Sequence, residues 1–137
     1  GNIGLGLLEG YGLHGGAIAL TVAHDSHNVI VLGDRNADMA AAVNELKRIG
    51  GGMAIAAGGR IDSLPLDIAG LMSSLPAEEY VTRSQALLSR AYALGIDRRF
   101  DAFMSLSFLA LLVIPSLKLS DRGLFDVDQF SFCNIDA

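Results

Sequence analysis

Five consecutive side chains with hydrogen-bonding or proton-transfer chemistry, His24, Asp25, Ser26, His27 and Asn28, separate two apolar runs, and they include two of the three histidines in the chain. Imidazole gives and takes protons near neutral pH, a carboxylate accepts hydrogen bonds, and a hydroxyl or carboxamide both donates and accepts. The run therefore holds enough groups to orient a polar substrate or a reacting water. The flanking runs at residues 17–22 and 29–32 have the aliphatic and β-branched content of strands, which puts the polar cluster where a hairpin turns. Asp and Ser favour such a turn because their short side chains bond nearby backbone amides. A four-residue turn from His24 to His27 brings its end Cα atoms within about 7 Å, so both imidazoles are expected to face one small volume.

Several readings compete for this cluster. The turn projects into an active site and touches substrate, a metal-bound water or a metal ligand, or it is a hydrogen-bonded turn that fixes a domain interface. The first is favoured, because a turn needs one or two such side chains and this one has five. His24, Asp25 and His27 are suitable metal ligands by type, but catalytic metals usually draw ligands from several elements, and these share one short turn. Ser26 as a nucleophile lacks the strained strand-to-helix elbow that exposes such a serine.

The elements around the turn follow from pattern. Asp34 or Asn36 is placed to cap a helix carrying Met39, Ala42, Val43, Leu46 and Ile49 on one face, which glycines 50–52 end. The Gly58–Gly59 pair between two short apolar runs predicts a second hairpin. Residues 67–73 read as a short helix behind Pro65, and Pro76 opens a longer one that stops at Gly95. Residues 103–114 fit strand or helix equally, since both faces are apolar after Ser107, and the tail at residues 124–135 reads as one or two edge strands after a turn at 121–123. The order hairpin, helix, hairpin, helix hints at a duplicated unit without a residue-level repeat. Together these predict one α/β (α+β) domain over residues 1–137, a mainly antiparallel sheet of hairpins with helices packed on it.

Composition narrows the partners. The chain has 137 residues, 51% hydrophobic and only 18% charged, which implies that part of its surface meets another domain or subunit. A formal charge of −5 with scattered basic residues argues against nucleic acid or an anionic membrane. The longest uncharged stretch, at residues 102–117, is broken by Pro115 and falls short of the ~20 apolar residues of a spanning helix. The lone Cys133 suits a reducing compartment, so the cytoplasm is expected. With no initial Met and no signal-like segment, the chain reads as untargeted and as a fragment. Its seven glycines among residues 1–16 indicate irregular backbone lying close to other structure. Their spacing does not make a dinucleotide fingerprint. His14, Asp62 and Asp67 read as loop, turn or capping residues, and Cys133 as a packing residue.

Three long segments, AHDSHNVIVLG at 23–33, RIDSLPLDIAGLMS at 60–73 and FMSLSFLALLVIPSLKLSDRGLFDV at 103–127, together with GNIGLGLLEG at the start, resemble the C-terminal domain of the adenine deaminase family. The resemblance runs through the chain in order, is weakest from Glu78 to Asp101, and departs at Leu112, where the family usually has proline. It implies hydrolysis of adenine to hypoxanthine and ammonia in purine salvage, on an amidohydrolase barrel with a manganese or iron centre. It further implies that the metal ligands and catalytic carboxylate belong to a preceding barrel domain, that this chain alone is inactive, and that the protein forms a homo-oligomer. The alternatives are a non-catalytic assembly module, an independent metal-binding domain, or a deaminase of a related aminopurine.

Overall fold

The structure is a computed structural model that describes residues 2–135; Gly1, first of the amino-terminal glycines, lies outside them. In chain order the elements are β1 (Ala17–Leu20), β2 (Ile30–Gly33), α1 (Asn36–Ile49), β3 (Gly52–Ala57), β4 (Arg60–Pro65), α2 (Ala77–Ala93), α3 (Ala102–Phe108), β5 (Leu117–Ser120), β6 (Gly123–Asp126) and β7 (Ser131–Cys133). Strands β2-β1-β3-β4 form one antiparallel sheet and β5-β6-β7 a smaller one. This is the α+β architecture with hairpin-built sheets that the sequence predicts.

The period-two alternation of β1 and β3 sets both faces of the main sheet. Ala17 pairs with Ala56 and Ala19 with Ala54, so one face carries a floor of alanines on which α1 lies through Ala42 and Leu46. On the other face Ile18, Leu20, Ile30, Ile55 and Leu64 meet Leu87 and Ala91 of α2 and Phe103 and Leu106 of α3. Ile18, Leu46, Ile55, Leu64 and Leu106 are fully buried, each worth about 1.5–3 kcal/mol of transfer free energy. The main sheet is thus sandwiched between α1 and the α2–α3 pair.

Gly58 and Gly59, at φ 60° and 77°, make the expected two-residue hairpin between Ala57 and Arg60. The first helix also forms as expected and ends at Gly50 in the left-handed conformation, its N–H donating to Leu46 O. Its start differs. Arg35 is the cap residue without a side-chain bond, and Asp34 instead accepts from the N–H groups of Gly15 (2.7 Å) and Gly16 (3.0 Å), tying the glycine-rich segment to the end of β2.

Residues 67–73 form no helix. Ala69 and Gly70 adopt φ 57° and 71°, Ile68 pairs with Met72, and Asp67 accepts from Ser74 N and Oγ, so the chain reverses in a compact loop. Pro76 precedes α2 as predicted, and Gly95 follows its end with φ 93°. The ambiguous segment resolves as α3 followed by turns, because Asp101 caps the helix by accepting from Phe103 N and Met104 N. Among the described residues no helix is long and apolar enough to cross a membrane.

Candidate functional site

Strands β1 and β2 pair as far as Leu20 and Ile30, and residues 21–29 leave and return at that end of the sheet. The loop is rooted at both its first and third residues. Thr21 N–H donates to Gly52 O (3.0 Å), and its Oγ1 accepts from Gly52 N (2.8 Å) and donates to Gly70 O (2.5 Å). Ala23 is buried in the core under α3. The turn closes at His27 as the pattern predicts but opens one residue earlier, His27 N–H donating to Ala23 O at 2.7 Å. Burial of Ala23 holds that carbonyl in place as the acceptor.

The two imidazoles come together as expected, with ring centroids 5.6 Å apart in an edge-on arrangement. His24 is half-buried: its N–H donates to Ser107 O (3.3 Å) and its ring stacks on Phe108 at 5.3 Å. Asp25, Ser26, His27 and Asn28 are exposed. His27 sits at φ 53°, a left-handed conformation that costs a residue with a Cβ about 1–2 kcal/mol. Within the cluster Asn28 Nδ2 donates to Ser26 Oγ (3.1 Å). Among the described residues the side chains of His24, Asp25 and His27 engage in no hydrogen bond or ion pair with the rest of the chain. The turn is thus held by its backbone and by the His24 ring, with the side chains of Asp25 and His27 exposed.

Among the described residues no three His, Cys, Asp or Glu side chains converge as a metal-binding group, so His24, Asp25 and His27 do not fit as a self-sufficient metal site. Ser26 has Asn28 rather than an imidazole as its hydrogen-bond partner, which leaves it without an activating base.

The residues outside the cluster resolve mostly as structural. His14 is exposed, with its N–H on Leu94 O, and Asp67 stabilises its loop. Asp62 neither caps nor turns; it lies within β4 and pairs with Arg60 and, at 3.3 Å, with Arg90 of α2. Cys133 is half-buried. Sequence reasoning missed Ser107 and Phe108, which position His24. The available signal was Asp101, a helix cap that would have placed them on one short helix.

Comparison with known proteins decides what this loop belongs to. The family model described as adenine deaminase C-terminal domain matches residues 1–131. The chain belongs to the adenine deaminase C-terminal domain family. An adenine deaminase of Nitratidesulfovibrio vulgaris (strain Hildenborough) is 58% identical over 137 residues, covering 98% of this chain and 24% of that protein. Adenine deaminases of Clostridium acetobutylicum and Methanothrix thermoacetophila are each 49% identical, over 96% and 95% of this chain and 24% and 23% of their own lengths. The chain therefore spans about a quarter of the length of the curated relatives it matches.

Proposed function

We propose that this chain serves as the C-terminal part of an adenine deaminase and that the turn from His24 to Asn28 forms one wall of the active site, completing or covering it. The observation that carries this reading is a core-anchored turn that sets two imidazoles 5.6 Å apart, centroid to centroid, while their ring nitrogens and the Asp25 carboxylate have no side-chain partner among the described residues. In the hydrolysis, water oxygen adds to the purine carbon bearing the amino group and the amino nitrogen leaves as ammonia, giving hypoxanthine. Adenine offers ring-nitrogen acceptors and an amino donor, and the imidazole N–H groups and the Asp25 carboxylate complement both.

The manganese or iron centre that the family resemblance implies belongs to the same proposal, held by an amidohydrolase barrel elsewhere in the polypeptide. When bound there, the metal activates the attacking water. The role of this chain is to bind and orient the purine and to exclude bulk water above it. A cytoplasmic homo-oligomer acting in purine salvage is part of the same proposal.

Carbethoxylation of His24 and His27 in the full-length enzyme, followed by peptide mass mapping, tests the placement. Saturating hypoxanthine is expected to slow modification of at least one of the two imidazoles about tenfold or more. Equal rates with and without the purine would contradict the placement and leave the turn with an assembly role.

A further inference from the structure

Residues 3–7 alternate in the sense opposite to a segment lying on its own core. A Cβ on Gly4 would collide with the Ser120 carbonyl oxygen, and one on Gly6 would come within 3.2 Å of Leu124 Cδ2 and 3.7 Å of Leu119 Cδ1. The two glycines therefore face the β5–β6 hairpin, and at Gly4 the close approach of the Ser120 backbone leaves no room for a Cβ. Ile3, Leu5 and Leu7 consequently point away from the molecule, 83%, 71% and 90% exposed. Leu117 lies two residues along β5 from Leu119, hence on the same sheet face, and is itself 52% exposed. Among the described residues, residues 2–10 make no hydrogen bond, so their backbone is also unpaired. Ile3, Leu5 and Leu7, with no charge before Glu9, form an exposed apolar row of the kind that marks an interaction surface.

We propose that Ile3, Leu5 and Leu7, with Leu117, are the seat of the polypeptide that precedes residue 1 in the full-length protein, which covers them with an apolar surface. Two observations favour that occupant over a second copy or a foreign partner. The chain matches a C-terminal domain and only 24% of the length of its relatives, so about three-quarters of such a protein lies on the amino-terminal side. A covering polypeptide within the same chain is tethered to this face, and a short tether raises its local concentration to about the millimolar range. The proposal stands whether or not the His24 turn reaches substrate.

The test is a photocrosslink in the full-length protein with p-benzoylphenylalanine in place of Leu7. Irradiation is expected to give a species of single-chain mass whose crosslinked peptide comes from upstream of residue 1, and Leu5→Asp in the same protein is expected to cut its yield about tenfold. A product of two-chain mass would assign the face to a second copy and overturn the proposal. So would crosslinks confined to residues 1–137, no crosslink at all, or a yield indifferent to Leu5→Asp.

Discussion

The imidazole of His24 lies stacked on the ring of Phe108, with centroids 5.3 Å apart and planes 22° from parallel. The two residues come from different elements, the β1–β2 loop and the last position of α3. The neighbouring Ser107 carbonyl also holds the His24 N–H. The short helix α3 is therefore a buttress for the loop, and Asp101 at its start and Leu106 in the core fix the buttress in turn.

Phe108 is 40% exposed, so removing its ring should disturb His24 more than it disturbs the fold. An aromatic pair contributes about 0.5–1.5 kcal/mol beyond burial. Phe108→Leu in the full-length enzyme is expected to lower kcat/KM about 3- to 10-fold and stability by less than about 1 kcal/mol. Phe108→Tyr, which keeps the stack, should stay near wild type. Steady-state kinetics and urea unfolding on both variants check this, and equal losses in the two would contradict the stacking role.

Thr21 Oγ1 joins β1, β3 and the residue 67–73 loop through Gly52 and Gly70. Thr21→Val preserves shape and strands Gly52 N–H and Gly70 O without a partner, at a cost of about 1–3 kcal/mol. Thr21→Ser should retain most of the stability. Urea unfolding midpoints of the two variants distinguish loss of the hydroxyl from loss of the methyl group.

Glu45 accepts two hydrogen bonds from Arg48 and one from Ser63 Oγ, and these, Arg48 foremost, hold its pKa at about 2 against an ordinary 4.5. The folded state thus binds this proton less tightly than the unfolded state. The resulting stabilisation is complete above pH 4.5 and is lost as the pH falls towards about 2. Glu45→Gln is expected to flatten the dependence of unfolding free energy on pH within that window and leave it unchanged in shape near neutrality. Urea titrations at a series of acidic pH values measure the slope.

The parts of this fold that were legible in sequence are those decided by neighbours along the chain. The alternation of Ala with Ile or Leu in β1 and β3 sets which side chains face α1, and Gly58–Gly59 suits only a tight hairpin. Residues 67–73 misled because their apolar spacing is helical, while the fold uses Asp67 on Ser74 and Thr21 on Gly70 to close a loop, and the second bond spans distant sequence. Asp34 is equally suited to cap α1 or to bind Gly15 and Gly16, and only the packed structure chooses. The proximity of His24 and His27 was legible because a turn makes it. The stack on Phe108 was not, since a contact between a loop and a helix far along the chain leaves no local periodicity.

The most direct measurement on the proposed active-site wall is the catalytic efficiency of the full-length enzyme carrying His24→Asn or His27→Asn, read together with metal content and oligomer mass. Asn tolerates the left-handed backbone at position 27 and keeps hydrogen-bonding capacity without imidazole chemistry. The account predicts a fall in kcat/KM of about 10- to 100-fold for at least one variant, with metal content and mass unchanged, the size of one or two lost hydrogen bonds in the transition state. Unchanged kcat/KM in both variants, with or without loss of the oligomer, would contradict it.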